Sequence, residues 1–351
     1  MKQFKNLPSP MGLSKAEILE ILQREEYGYM PNLPVEVSAE QTDIYDNFCA
    51  GKAHLVSLKL TLKYADREFS FPVRYTRPTA EGKHPLFIHI NFRPDVPDRY
   101  EPSEEIIDEG FAVMSFYYND VSKDENEDKT GLFGVLYPNG QDTAKVPGKL
   151  ILWAYAASRI LDYALTLPEI DHDKVSVCGH SRLGKTALVC GAFDERFYCA
   201  FSNDSGCSGA SIAREKPDTP DKKREHIREI MNLRPIWFNT KYREYIDRED
   251  ELPFDQHFLL AANLPHKVYV ASAELDHWAG QENEFMSCVH ASDYYKAHGK
   301  AGFIHDGEMP DYGKPLHDGD IGYHIRRGTH YFSREDWKYY MQYLKKHFER
   351  G

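Results

Sequence analysis

The sequence predicts an α/β fold: a mostly parallel central sheet with helices on both faces, expected as one three-layer domain over residues 1–351. Three observations carry this. From residue 84 onward, short apolar runs alternate with stretches of helical periodicity, the order that builds strand–helix–strand units. The stretch LILWAYAASRILDYALTLPEI (150–170) is apolar at helical spacing on nearly all sides, as a helix buried between layers must be. VSVCGH (175–180) is a run of small β-formers that breaks at Gly179 and leads through Ser181 into a helix-like stretch.

The elements follow in order. The opening MKQFKNLPSPMGLSKAEILEILQ runs through prolines into an amphipathic helix where a secretion leader needs an apolar core. The expectation is therefore a cytoplasmic chain as written, or a secreted one if a leader was removed. HLVSLKLTLKYADREFSFPVRYTRP alternates apolar and polar over two runs, so residues 1–83 are read as a helix followed by antiparallel strands. HPLFIHINF (84–92) is a buried strand, and EEIIDEGFAVMSFYYND gives a short helix, a stop at Gly110 and another strand. A polar loop, Val121 to Lys149, precedes the long helix. The strand KVSVCG, a helix from Arg182 and the strand YCAFSND come next. Residues 213–255 are read as an inserted loop and helical region near the cleft, walling it together with the 121–149 loop. The strand HKVYVASAE and the helix REDWKYYMQYLKKHF close the chain.

Composition narrows the partners. A formal charge of -12 disfavours a phosphate backbone, where affinity rests on Lys and Arg displacing counterions. No stretch approaches the roughly 18 uninterrupted apolar residues of a membrane span. Six cysteines in 351 residues are too sparse for a disulfide scaffold and lack zinc-site spacing, so buried thiols are expected. The chain is read as a monomer with neither nucleic acid nor membrane as partner.

GHSRLG (179–184) carries the chemistry. A nucleophile on a strand-to-helix corner needs small neighbours, because the backbone is strained and the side chain must project above the sheet. The α/β-hydrolase elbow reads GxSxG; here the second glycine, Gly184, is displaced by one. The alternative for Ser181 is a helix cap, its hydroxyl accepting from the first turn. A serine attacks at neutral pH only when an imidazole takes its proton and a carboxylate orients that imidazole. In α/β-hydrolases the acid and then the histidine follow the serine, each on a loop after a later strand. Asp204 follows YCAFSN, Asp276 follows HKVYVASAEL, and His330 lies in RRGTHYFSREDW before the last helix. Among sixteen histidines, His317, His324 and His257 are rivals, and position favours His330.

At this point the residues resemble a family. WAYAASRILDYALTLPEIDHDKVSVCGHSRLGKTAL, FSNDSGCSGA, PIWF, LPFDQH, LDHWA and GTHYFSREDW together are similar to the glucuronoyl esterases, carbohydrate esterase family fifteen, in their bacterial form. The likeness runs from about residue 105 to the end and is weak in the first quarter. It implies an α/β-hydrolase that cleaves the ester between 4-O-methyl-glucuronate on xylan and a lignin alcohol, with no metal or other cofactor. The family's GxSRxGK motif puts the attacking serine at Ser181, the arginine that steadies the oxyanion at Arg182, and the lysine that bonds sugar hydroxyls at Lys185. A cation beside a developing alkoxide acts where charge appears only in the transition state. A solvated helix face is the alternative for Arg182 and Lys185.

The resemblance also implies His330 as the base and two placements for its acid. NDSG gives Asp204, one methylene shorter than the glutamate common there, and LDHW gives Asp276, which is favoured, with Asp204 as a supporting carboxylate. The sugar-binding tryptophan falls on Trp278 and the glutamate on Glu225, with Arg224 where the family has glycine. Trp237 and His257 are read as core. Fungal members pair a cysteine before the serine with one beside the histidine; His180 and Thr329 stand there, so that disulfide is absent.

Three functions remain open from sequence. The leading one is a glucuronoyl esterase acting on a carbohydrate ester through an acyl-enzyme. Deacetylation of xylan or other acetylated sugars is the second. A carbohydrate-binding hydrolase homologue without activity is the third, and retention of serine, histidine and two candidate acids argues against it.

Overall fold

Among the described residues, runs of β-branched and aromatic residues form nine strands, and one continuous sheet takes them all in the order β1-β2-β3-β5-β4-β6-β7-β8-β9. The structure is a computed structural model and describes residues 2–138, 145–215 and 223–349. Helix α1 (Lys15–Leu22) starts at a capping box in which Ser14 and Glu17 satisfy each other's backbone groups. Strands β1 (Glu36–Phe48), β2 (Ala53–Lys63) and β3 (Glu68–Pro78) form an antiparallel meander. Then come β4 (His84–Asn91), α2 (Ser103–Asp108), β5 (Ala112–Tyr117), the short helices α3 (Tyr118–Val121) and α4 (Gly131–Leu136), and the long helix α5 (Lys149–Ala164). The second half runs β6 (Ile170–His180), α6 (Arg182–Phe193), β7 (Cys199–Asn203), α7 (Ile227–Leu233), α8 (His257–Ala261), β8 (Lys267–Ala273), α9 (Gln281–Ala297), β9 (Ile321–Arg326) and α10 (Arg334–Phe348). From β5 through β4 to β9 every pairing is parallel, while β3 joins β5 antiparallel.

Successive side chains of a strand point to opposite faces, and the core divides accordingly. Leu86, Ile88, Val175, Val177, Ala200, Val268 and Val270 face the layer that holds α5, α6, α8 and α9. Their neighbours Phe87, Val113, Cys178, Phe201, Tyr269 and Ala271 face Ile106 of α2 and Trp337, Tyr340 and Leu344 of α10. The three layers expected from sequence are these. Among the described residues no helix is long and apolar enough to cross a membrane. All six cysteines are free thiols, five of them buried and Cys49 only half-buried.

α4 is a short helix inside the stretch read as a polar loop, and β1, α9 and β9 have no counterpart in the sequence reading. β1 is hard to recognise because EVSAEQTDIYDNF is an exposed edge strand in which four acidic residues replace any apolar alternation. α9 was missed because its buried side includes Asn283, Glu284, Ser287 and Ser292, leaving no apolar stripe. β9, IGYHIR, hides the charge-bearing His324 and Arg326 inside a buried strand. The long helix also ends at Ala164, and Ile170 already belongs to β6. The expected cleft-walling segments are described except for residues 139–144 and 216–222, where that expectation lies outside the described residues.

One buried acid ties this scaffold to pH. Glu26 has no exposed surface, accepts from Gln256 Nε2 at 3.3 Å, and burial pushes its carboxyl up to about 8. The folded chain then keeps a proton that the unfolded chain releases near 4.5, so stability falls as pH rises from there through about 8 and levels off above it. Glu26→Gln is expected to remove this slope and to be more stable than the parent at pH 9, by about 5 kcal/mol at most. Thermal melts of both proteins from pH 5 to pH 9 check it; parallel curves would contradict it.

Candidate active site

In open α/β sheets, ligands meet the carboxyl ends of the strands, and that edge collects the candidate residues. β6 ends at His180, and Ser181 follows with φ 57° and ψ -127°, a conformation costing on the order of 1–3 kcal/mol that the packing around it maintains. Its amide donates to Asn203 O of β7 at 2.8 Å. Its hydroxyl makes no capping bond to α6, so the helix-cap alternative fails and the oxygen is left to the cavity. Gly179 is required by contact: a β-carbon there would lie 2.2 Å from Leu183 O. At Gly184 it would lie 3.0 Å from Asn203 O, so the displaced second glycine is the one that lets α6 approach β7. Gly179→Ala is expected to destabilise the fold by at least about 1–3 kcal/mol because backbone, not a flexible side chain, stands in the way. An unchanged melting temperature would contradict that.

His330 lies on the loop after β9, and its Nδ1–H donates to Asp276 Oδ2 at 2.6 Å. Asp276, on the turn after β8, is 5% exposed and also accepts from Ala279 N at 3.3 Å. A carboxylate on Nδ1 fixes the tautomer and leaves Nε2 as the basic nitrogen. Asp204, after β7, is buried and does not bond the imidazole. It accepts from Arg326 Nη2 at 3.1 Å and from Tyr331 N at 3.3 Å, while its Oδ1 is buried without a hydrogen-bond partner among the described residues. One ligand atom each from Asp204, Asp276 and His330 nevertheless lies within 4.8 Å of the other two. Burial holds the Asp204 carboxyl well above the usual carboxylate range; Asp276 pushes the same way and Arg326 opposes it. The shorter side chain thus turns toward Arg326 and leaves the imidazole to Asp276.

Arg326 organises the loop that carries His330. Its Nε bonds Asp336, its Nη1 bonds Arg327 O and Thr329 O, and its Nη2 bonds Tyr331 O as well as Asp204, so all five N–H groups are used. The rival histidines lie elsewhere. His324 bonds Asp336 and Tyr269, His317 bonds Tyr269, and His257 is buried against Pro8 O, as its core reading expected.

Arg182 is half-buried, paired with Asp124 and stacked over Trp237 at 4.9 Å. Asp124 also receives Trp237 Nε1 at 2.7 Å and sits 3.4 Å from Arg234 Nε. Lys185 is 2% exposed, so the solvated-face alternative fails for it. Its ammonium donates to Ser205 O at 2.6 Å, Cys207 O at 2.5 Å and Glu225 Oε2 at 3.0 Å. The loop that receives it has positive φ at Asp204, Gly206 and Ser208, which turns the carbonyls of Ser205 and Cys207 to one side. A side chain at Gly206 would meet Glu225 Oε2 at 2.5 Å, so glycine there makes room for the carboxylate.

All the sequence-expected site residues except Asp276 border one cavity of about 330 Å³: Ser181, Arg182, Lys185, Asp204, Glu225, Trp278 and His330. Asp276 stands behind His330. Trp278 is 38% exposed at the rim. Sequence reasoning missed Asp124, Arg234 and Arg326, and it placed Trp237 in the core; Trp237 is buried, but its ring borders the cavity beside Ile230 and Leu233 of α7.

A serine on a strained corner after β6, an acid after β8 and a histidine after β9, in that chain order on this sheet, define an α/β-hydrolase. A family model described as "Glucuronyl esterase, fungi" matches residues 60–299. The chain belongs to the glucuronyl esterase family. A carbohydrate esterase of an unknown prokaryotic organism is 36% identical over 250 residues, covering 71% of this chain and 56% of that one. A 4-O-methyl-glucuronoyl methylesterase of Hypocrea jecorina is 28% identical over 284 residues, covering 79% of this chain and 56% of that one. The chain thus spans little more than half the length of these relatives. The solved glucuronoyl esterase of Solibacter usitatus superposes with a TM-score of 0.84 at 28% identity, over 96% of this chain and 92% of that one.

Proposed function

We propose that the chain is a serine carboxyl-ester hydrolase acting on glucuronate esters of the kind that join xylan to lignin alcohols. The observation that carries the reading is that one cavity holds Ser181 and His330 together with a buried Lys185–Glu225 pair and the half-open indole of Trp278. In this reading His330 Nε2 takes the proton of Ser181 as its oxygen adds to the uronate carbonyl, and Asp276 steadies the resulting imidazolium. The oxyanion faces the Arg182 guanidinium and the first amides of α6, which have no acceptor within the helix. Collapse passes the proton from His330 to the leaving alcohol; water then adds by the reverse path and frees the acid and Ser181.

Glu225 and Trp278 are the sugar-facing groups: a carboxylate accepts neighbouring hydroxyls, and an indole covers the apolar face of a pyranose. The three N–H groups of Lys185 are already given to Ser205, Cys207 and Glu225, so its part is to fix that carboxylate against the cavity. Asp204 is the supporting carboxylate that anchors Arg326 and the His330 loop.

The test compares hydrolysis of benzyl glucuronate with release of acetate from acetylated xylan. Turnover of the uronate ester with little acetate is expected. Acetate alone would transfer the function to a sugar deacetylase, and neither product would leave a carbohydrate-binding homologue.

A further inference from the structure

A hydrogen bond fixes one atom of a ring, not its plane. Among the described residues His330 makes one such bond, to Asp276, and its side chain is 41% exposed, so that bond alone leaves the ring free to turn about it. What faces the ring is His180: the two centroids are 4.4 Å apart with the planes inclined at 41°. We infer that His180 is a positioning residue for the reaction, a flat platform that holds the His330 imidazole in the plane from which Nε2 meets Ser181. The inference rests on the serine-esterase reading and adds a residue to it.

The platform is itself immobile. His180 is 4% exposed, and its Nδ1–H donates to Asn203 Oδ1 at 2.6 Å. Tyr100 stacks on it at 5.7 Å and 28°, Phe332 at 6.2 Å and 19°, and Phe92 meets it edge-on at 6.1 Å. Those rings are pinned in turn, Tyr100 through its carbonyl to Trp337 Nε1 at 2.7 Å. Because His180 is the residue before Ser181 and pairs with Asn203 across β6 and β7, nucleophile and platform belong to one rigid strand end. The base is thereby registered to the nucleophile through a single peptide unit.

The platform must also tolerate the charge that His330 acquires. Burial holds the His180 imidazole well below the ordinary histidine range, and the facing His330 pushes it further the same way. A neutral ring then faces the imidazolium, where a second cation would repel it and a π face attracts it. Histidine suits this place better than phenylalanine because its Nδ1–H, held by Asn203, stops the platform from turning.

The test uses His180→Phe, which keeps a flat face, and His180→Leu, which keeps an apolar filling without one. Each is assayed for kcat and KM with benzyl glucuronate and p-nitrophenyl acetate, and by proton NMR for the low-field resonance of the proton shared by His330 and Asp276. His180→Leu is expected to lose about 10- to 30-fold in kcat with KM nearly unchanged, and to lose or broaden that resonance. His180→Phe is expected to stay within about threefold of the parent in kcat and to keep the resonance. Parent-like kcat and resonance in His180→Leu would overturn the inference. So would equal losses in both folded variants, which would put the effect in the nitrogen chemistry of the ring. If the parent hydrolyses neither ester, the esterase reading fails, while the resonance of parent and variants still reads the contact between the two rings.

Discussion

Ser181→Ala is expected to lower kcat on benzyl glucuronate by about 10⁴- to 10⁶-fold, with the melting temperature unchanged or slightly raised. The size follows from what is lost: without the hydroxyl no covalent intermediate forms, and only the Arg182 side of the cavity and sugar binding remain to help water. Stability is spared because, among the described residues, the Ser181 hydroxyl neither caps α6 nor bonds a neighbour, so its removal leaves no buried donor unpaired. Steady-state kinetics with a thermal melt on the same preparation check both halves. Loss of activity with a large fall in melting temperature would indicate collapse of the corner instead of loss of a nucleophile.

The two aspartates give the second large effect, and it separates them. Asp276→Asn keeps the shape of the turn but removes the acceptor that selects the Nδ1–H tautomer of His330, and a loss near 10⁴-fold in kcat is expected. Asp204→Asn leaves the His330–Asp276 bond in place. Its cost falls on Arg326, which loses one carboxyl acceptor and retains Asp336, so a drop in stability of about 1–3 kcal/mol with kcat within about tenfold of the parent is expected. The reverse ranking, a catalytic collapse at Asp204 and a mild effect at Asp276, would exchange their roles.

Much of this site was legible in the sequence, for a physical reason. The nucleophile corner must be made of small residues next to a strand, so Gly179, Ser181 and Gly184 announce themselves locally. His330 and the two aspartates were found because chain order on a parallel sheet dictates which loops meet at its carboxyl edge. The sequence favours Asp276 as the acid, and the structure bonds the imidazole there; what the sequence does not show is why Asp204 turns away, since that is decided by Arg326, a residue on a strand that resembles no strand. Lys185 lay in the motif, but the carbonyls that consume its protons come from a loop whose alternating left-handed residues carry no simple pattern. Asp124 and Trp237 meet Arg182, and Arg234 meets Asp124, across more than fifty residues of chain, and such contacts leave no trace in periodicity. In the fold, the same limit appears at α9, where buried polar side chains erase the stripe by which helices are recognised.

Labelling with an alkyl fluorophosphonate, read by peptide mass spectrometry, tests the central claim most directly. One phosphonyl group per chain on the peptide containing Ser181 is predicted, formed more slowly in the presence of free glucuronate and far more slowly in Asp276→Asn. No labelling, or labelling that persists in Ser181→Ala, would contradict the account.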